Sequence, residues 1–129
     1  RISSSAIVGA GSDVGGGASI LGVLSGTDGN PITIGKNTLL GANSTCGIPL
    51  GDGCIIDGGL AVFAGTKFHI NNEEINEIQD VNPNAILDNI MKASELAGLS
   101  GLHFRQNSQT GQYVVQRSTR EVKLNADLH

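Results

Sequence analysis

The sequence predicts a mainly β fold: a left-handed parallel β-helix of hexapeptide repeats with a C-terminal α-helix and β-hairpin extension. Three observations in residues 1–68 predict it. An aliphatic residue recurs at every sixth position, glycine follows many of these residues, and a small residue lies four positions after most of them. A repeat of this kind describes a whole architecture and takes precedence over any single motif. Each hexapeptide is then one short strand and one corner, and three hexapeptides complete a coil.

Composition limits the classes of protein that the chain could form. It has 129 residues, 19 of them glycine, with 3% aromatic residues and no Trp, so a core built on large rings is excluded. A hydrophobic content of 39% and a net charge of −4 argue against disorder. The isoelectric point of about 5.1 argues against nucleic acid as the main partner. The apolar runs are too short for a membrane span.

Glycine and charge divide the chain near residue 69. Residues 1–68 hold 16 of the 19 glycines, whereas most of the charged residues lie in 69–129. We therefore predict a β-helix domain over 1–68 and a capping extension over 69–129. The extension is needed because the open ends of a short coil expose unpaired strand edges.

The aliphatic positions predict which side chains stack inside the coil. Residues 21–33 and 46–49 are treated as insertions that leave the corners as loops. The predicted columns are Ile2, Ile20, Leu50 and Phe68 on one face, Val8, Ile34 and Ile56 on the second, and Val14, Leu40 and Val62 on the third. Cys54 takes a small inward position and Cys46 lies in the second loop, and we expect both to be reduced structural thiols. Two cysteines without a targeting segment fit the cytoplasm.

The extension is predicted to contain a loop or short helix over 69–81, a helix over 83–97 and a hairpin over 102–117. Asn82 and Pro83 fit the N-cap and the first position of the second helix, and aliphatic residues then recur at a spacing near four. We expect this helix to lie across the open end of the coil. Two short strands flank the polar turn of the hairpin.

The three histidines, His69, His103 and His129, all lie outside the coils. This position excludes the zinc carbonic anhydrases built on hexapeptide coils, which need several coil histidines. Many hexapeptide acetyltransferases use a loop histidine as general base, so His69 or His103 is a candidate for that role. The two cysteines lack the ligand spacing of a zinc site, and no metal site is predicted within the chain.

Several runs of residues are more specific than the repeat. They are GGGASILG at 15–22, LLGANS at 39–44, FRQNSQTG at 104–111 and LNADLH at 124–129. With them the chain closely resembles the tetrahydrodipicolinate N-succinyltransferases, except over about 69–84. The resemblance implies a homotrimer of left-handed β-helices in lysine and diaminopimelate biosynthesis. Such an enzyme transfers a succinyl group from succinyl-CoA to the amino group of ring-opened tetrahydrodipicolinate.

The resemblance also implies site residues. Acyl-CoA contacts would fall on Arg1, Gly16, Ser19, Ala42, Asp57, Gly58, Gly65, Lys92, Arg105, Gln106, Asn107 and Ser108. The backbone amide of Gly22 would donate to the oxyanion of the tetrahedral intermediate. Lys92 and Arg105 suit the phosphates of CoA. Asp57-Gly58 departs from the Glu-Ala pair often found at this point.

The catalytic glutamate of the family would lie just before Arg1, and any magnesium ligands would also lie outside this chain. We therefore expect a C-terminal fragment that binds succinyl-CoA and has negligible turnover alone. Two other functions stay open. One is a hexapeptide acyltransferase that uses acetyl-CoA and a histidine base, and the other is a non-enzymatic β-helix scaffold.

Overall fold

A computed structural model of the chain describes residues 6–22, 31–120 and 122. Within them the fold is mainly β with one α-helix. The first strands have two residues each: β1 (Ile7–Val8), β2 (Asp13–Val14), β3 (Ser19–Ile20), β4 (Thr33–Ile34), β5 (Leu39–Leu40), β6 (Thr45–Cys46), β7 (Ile55–Ile56) and β8 (Ala61–Val62). They are followed by β9 (Lys67–His69), α1 (Asn72–Val81), β10 (Ile90–Lys92), a 3-10 helix (Ala93–Leu96), β11 (Leu102–Gln106) and β12 (Tyr113–Arg117). In the described ranges, no helix has the length and apolar character to cross a membrane.

The two-residue strands stack in three parallel ladders around one interior. Ladder A pairs β1 with β4, and Ile34 forms a bridge to Leu50. Ladder B stacks β2, β5 and β7, and ladder C stacks β3, β6 and β8. Successive strands enter ladders A, B and C in turn, so the chain completes one layer every third strand.

The strand pairing corrects the columns predicted from the sequence. The inward columns are Val8, Ile34 and Leu50 in ladder A, Val14, Leu40 and Ile56 in ladder B, and Ile20, Cys46 and Val62 in ladder C. Cys46 is an inward residue of the repeat and not part of a loop. The corner after it is shortened and buried, with Ile48 0% exposed, and Leu50 already begins the next layer. Because residues 46–49 belong to the repeat, each later inward residue lies one ladder away from its predicted column.

The remaining parts of that prediction have different outcomes. Ile2 and residues 23–30 of the other predicted loop lie outside the described residues. The end of that loop belongs to the coil, because Ile32 is fully buried and Thr33 begins β4. Phe68 leaves the coil and lies opposite Met91 in the β9–β10 pair.

The corner between ladders B and C, which we call corner BC, turns at a residue with positive φ in each layer. The φ angles are 74° at Gly17, 58° at Asn43 and 76° at Gly59. Glycine and asparagine tolerate this left-handed conformation better than other residues. The Asn43 N–H donates to the Gly16 carbonyl at 2.9 Å, and the Gly59 N–H donates to the Ala42 carbonyl at 2.8 Å. Corner BC is therefore a hydrogen-bonded column.

The hairpin closes the described end of the coil, a position that the sequence analysis assigned to a helix. β11 pairs antiparallel with β12 and parallel with β7, with Phe104 opposite Ile56. β9 pairs with β12, and β10 pairs with β9. Ladder B thus continues into a seven-stranded sheet with the order β10-β9-β12-β11-β7-β5-β2.

The helix of the extension, α1, lies in the segment 69–81, for which the sequence predicts a loop or a short helix. The side chain of Asn71 caps the start of α1 by accepting from the Glu74 N–H at 2.9 Å, and Ile78 is fully buried. Asn82 is the C-cap and not an N-cap. Its side chain donates to the carbonyls of Ile78 at 2.9 Å and Ser100 at 2.8 Å. A proline directly after the C-cap then stops the helix.

The predicted helix over 83–97 is wrong, since this segment forms a turn, β10 and a 3-10 helix. Burial alternates in β10, where Met91 is 6% exposed and Ile90 is 54% exposed. Met91 lies opposite Phe68, so a strand period of two explains its burial. Ile86, which the helical spacing placed on an apolar face, is 91% exposed.

We expect Gly15→Ala to destabilise the fold and Gly16→Ala to leave it intact. A Cβ on Gly15 would lie 2.6 Å from the Ala42 nitrogen in the next layer, whereas nothing lies within 4 Å of a Cβ on Gly16. The overpacked variant should lose about 1–3 kcal/mol of unfolding free energy. Chemical denaturation of both variants measures the difference, and equal losses would contradict the close approach of the layers at Gly15.

Both cysteines are free and buried, which predicts a pH dependence of stability. Burial raises the pKa of Cys46 to about 11 and that of Cys54 to about 12, from the usual 9.0. The unfolded chain therefore loses these protons at lower pH than the folded chain. Ionisation of the thiols leaves the unfolding free energy unchanged below about pH 9. It lowers the unfolding free energy as the pH rises from about 9 towards 11–12.

Two measurements check this expectation. The native protein should react slowly with an aromatic disulfide reagent at pH 8, and both thiols should react in denaturant. A Cys54→Ala variant should show a shallower loss of unfolding free energy above pH 9 than the unsubstituted chain. Rapid labelling of either thiol in the native protein would contradict the burial.

Candidate functional site

The predicted site residues of the coil border ladder C wherever the structure describes them, whereas Lys92 and residues 105–108 belong to the extension. Ser19 lies on ladder C itself, in register with Thr45. Corner BC, on one side of this ladder, carries Gly16 in the first layer, Ala42 in the second, and Asp57 and Gly58 in the third. Gly22 and Gly65 lie at the corner on the other side, in the first and third layers. Arg1 lies outside the described residues.

The outward surface of ladder C consists of small side chains. Ser19, Thr45 and Ala61 are in register along it, and all three are half-buried. The backbone is open at both margins, because a Cβ on Gly16 or Gly65 would have no atom within 4 Å. A ligand with an extended chain can therefore approach the backbone closely at these two glycines.

The segment 105–108 lies in the layer beyond corner BC. The Asp57 N–H donates to the Phe104 carbonyl at 3.1 Å, which places Arg105 next to this corner. The side chains of Gln106 and Asn107 hold the turn of the hairpin. Gln106 Nε2 donates to the Gly111 carbonyl at 3.1 Å, and Asn107 Oδ1 accepts from the Gln109 N–H at 2.8 Å. Both side chains thus shape the loop that presents Arg105.

Arg105 keeps unused hydrogen-bonding capacity. Its Nη1 donates to Gln116 Oε1 at 3.4 Å, and its buried Nε has no partner among the described residues. A buried donor without a partner costs about 1–3 kcal/mol. A cavity of about 300 Å³ lies beside it, lined among others by His69, Asn107 and Gln116. Arg105 can therefore accommodate an anionic group.

Lys92 lies directly opposite Lys67 in the β9–β10 pair, and both side chains are exposed. Within the described part of the chain, neither forms an ion pair, although the Glu95 carboxylate accepts from the Lys92 backbone N–H at 2.8 Å. Like charges directly opposite each other destabilise a strand pair, and an anionic ligand would relieve that repulsion. Lys67 is not among the site residues predicted from the sequence, because only the register of β9 with β10 places it here.

His103 is held at both ring nitrogens. Its Nε2 lies 2.6 Å from Asp57 Oδ1, and its Nδ1 lies 3.4 Å from Gln116 Nε2. This arrangement does not favour His103 as a general base, because neither nitrogen faces an open site. His69 is half-buried and lines the cavity, and His129 lies outside the described residues. In the ranges that the structure describes, no group of three or more His, Cys, Asp and Glu side chains could hold a metal ion.

Comparisons with known proteins agree with the repeat and the three ladders. A family model for the hexapeptide repeat of succinyl-transferase matches residues 31–64. The chain is 84% identical over all 129 residues to the 2,3,4,5-tetrahydropyridine-2,6-dicarboxylate N-succinyltransferase of Sulfurimonas denitrificans. It is 53% identical over 131 positions to the Helicobacter pylori protein of the same name, again across the whole chain.

A solved structure also has a similar fold. The crystal structure of a Campylobacter jejuni protein assigned as a 2,3,4,5-tetrahydropyridine-2-carboxylate N-succinyltransferase matches with a TM-score of 0.85 and 60% identity. The match covers 89% of this chain and 30% of that chain. The chain spans about a third of the length of its relatives, 32% of the Sulfurimonas protein and 33% of the Helicobacter protein. The similarity to 2,3,4,5-tetrahydropyridine-2,6-dicarboxylate N-succinyltransferases thus extends over every residue of this chain, and residues 31–64 match a succinyl-transferase hexapeptide repeat.

Proposed function

We propose that the chain is the C-terminal part of an enzyme that transfers a succinyl group from succinyl-CoA to the amino group of ring-opened tetrahydrodipicolinate, in lysine and diaminopimelate biosynthesis. The observation that carries this proposal is 84% identity across the whole chain to a protein named for that transfer. The coil is then a left-handed β-helix, and the complete enzyme is a homotrimer in the cytoplasm. The division at residue 69 into a β-helix domain and a capping extension belongs to the same proposal.

The thioester arm of succinyl-CoA runs along ladder C in this proposal. Lys92 and Arg105 lie at the end covered by the extension, whereas Ser19 and Gly22 lie in the first layer. Layers separated by about 4.8 Å place these two ends roughly 15 Å apart, a length that suits an extended pantetheine. The cations therefore bind phosphates, and the acyl group reaches the first layer.

The first layer then holds the reacting carbonyl. Attack by the substrate amine forms the C–N bond and places negative charge on the carbonyl oxygen. Loss of the CoA thiolate then breaks the C–S bond, the nitrogen gives up one proton, and the thiolate takes one up to leave as the CoA thiol. The Gly22 N–H would donate to that oxygen, and a donor of this kind is worth about 3–4 kcal/mol. The Ser19 hydroxyl would bind an amide or the succinyl carboxylate. The resemblance implies that the glutamate of the reaction and any magnesium ligands would come from parts of the enzyme that this chain does not include.

The proposal predicts that the full-length enzyme carrying this sequence uses succinyl-CoA as the acyl donor. Calorimetry should show binding of succinyl-CoA, and a thiol-release assay should show transfer that a His69→Gln variant retains. Failure of the unsubstituted enzyme to bind succinyl-CoA would contradict the proposal. A collapse of kcat in the His69→Gln variant would support an acetyltransferase with a histidine base instead.

Lys67 and Lys92 should contribute to the binding of CoA phosphate. We expect Lys67→Gln and Lys92→Gln each to raise the KM for succinyl-CoA about two- to fivefold, because an exposed ion pair is worth about 0.2–1 kcal/mol. The effect should shrink at high salt and vanish with succinyl-pantetheine, which lacks the CoA phosphates.

Lys36→Gln is the matched control for these two variants. Lys36 is also exposed but lies at the corner between ladders A and B, where its backbone N–H donates to Asp52 Oδ1 at 2.8 Å. Its substitution should leave the KM unchanged. Equal effects in all three variants would show a general charge effect and would contradict a phosphate site at Lys67 and Lys92.

A further inference from the structure

Two of the proposed acyl-CoA contacts, Asp57 and Arg105, are joined by His103 and Gln116. His103 Nε2 lies 2.6 Å from Asp57 Oδ1, and Gln116 Nε2 lies 3.4 Å from His103 Nδ1. Arg105 Nη1 then donates to Gln116 Oε1 at 3.4 Å. We call Asp57, His103, Gln116 and Arg105 the polar chain.

The backbone register assembles the polar chain. His103 and Gln116 are direct partners in the β11–β12 pair, and His103 is also the partner of Ile55 in β7. Arg105 lies two residues after His103 on β11, so the two side chains share one face of the strand. The buried Phe104 between them lies on the opposite, inward face. The polar chain therefore depends on the closure of the coil by the hairpin.

The chemistry of arginine sets the direction of each hydrogen bond. A guanidinium only donates, so Gln116 presents its oxygen to Arg105 and its NH₂ group to His103. An amide NH₂ also only donates, so His103 Nδ1 accepts and the ring proton lies on Nε2. This proton is donated to the Asp57 carboxylate. Each contact thus has one donor and one acceptor, without conflict.

We propose that His103 and Gln116 are positioning residues, which hold Asp57 and Arg105 in place for acyl-CoA. This inference rests on the proposed function. The side chain of His103 is 17% exposed, whereas that of Asp57 is 43% exposed, so the histidine is the fixed member that restrains the carboxylate. Asp57 can then accept from an N–H or O–H group of the ligand, and Arg105 can donate to an anionic oxygen.

The amide of Gln116 couples the two ends of the polar chain. Without the His103 ring, the Arg105 guanidinium still selects the oxygen of Gln116, but the NH₂ group of the amide loses its acceptor and the Gln116 side chain is held at one end only. The amide oxygen is then less firmly placed, and the contact that orients the guanidinium is weakened. A change at the Asp57 end is therefore transmitted to Arg105, although the two side chains do not contact each other.

A comparison of His103→Leu with His103→Gln in the full-length enzyme tests the proposal. The leucine variant removes both ring contacts, whereas the glutamine variant keeps an N–H donor for Asp57. We expect His103→Leu to raise the Kd and KM for succinyl-CoA about five- to tenfold with kcat within twofold, and His103→Gln to recover most of this loss. The unfolding midpoint of each variant is measured in parallel.

Gln116→Glu tests the same chain from its middle and serves if His103→Leu does not fold. A carboxylate can accept from Arg105 but cannot donate to His103 Nδ1, so we expect a similar rise in Kd. The variant that carries both His103→Leu and Gln116→Glu should bind succinyl-CoA no more weakly than the weaker-binding single variant. Both substitutions interrupt the same polar chain, so their effects do not add. Gln109→Leu is the control, since Gln109 is exposed on the same hairpin turn and should have no effect.

The outcomes separate this inference from the proposed function. If the unsubstituted enzyme does not bind succinyl-CoA, the proposed function fails. If it binds and both His103→Leu and Gln116→Glu bind equally well, the positioning role is overturned. A loss of binding that His103→Gln does not recover, together with an equal fall in unfolding midpoint for both His103 variants, would show a structural role and overturn it too.

Discussion

Backbone hydrogen bonding between stacked layers is the constraint on which the rest of the structure depends. The Gly15 N–H donates to the Leu40 carbonyl at 2.7 Å, and the Gly41 N–H donates to the Ile56 carbonyl at 2.8 Å. Bonds of this length hold neighbouring layers at strand separation along each ladder. The space that remains admits one aliphatic side chain per strand inside and little more than glycine where the layers meet at a corner. The residues that border ladder C hold their places because of this stacking.

The pairing of β11 with β7 both closes the coil and assembles part of the site. β11 pairs with β7 and covers a strand edge that would otherwise stay unpaired. The same pairing brings His103 to Asp57, and the β11–β12 register brings Gln116 to His103. Loss of hairpin docking would therefore remove both the cap and the partner of Asp57. Stability and ligand binding are linked through a few backbone pairs.

Local sequence signals predict an element correctly where only one structure is consistent with them. The hairpin strands Leu102–Gln106 and Tyr113–Arg117 alternate in a simple way around a polar turn. Asn82-Pro83 was ambiguous, because asparagine followed by proline fits either the start or the end of a helix. Its contacts with Ser100 and Ile78 decide for the end. Asn71 followed three residues later by Glu74 is the signal that favours the short helix among the two alternatives predicted for 69–81.

The six-residue repeat alone implies a coil with an aliphatic interior, because only one inward position recurs per hexapeptide. The motif runs alone carry the resemblance to the N-succinyltransferases. The repeat does not predict which strands stack on each other, because one shortened corner at Gly47–Pro49 moves each later strand to another ladder. Contacts such as His103 with Asp57, 46 residues apart, exist only after that register is set. Hydrogen bonds between distant residues are decided by the stacking of layers, and local propensity carries no information about them.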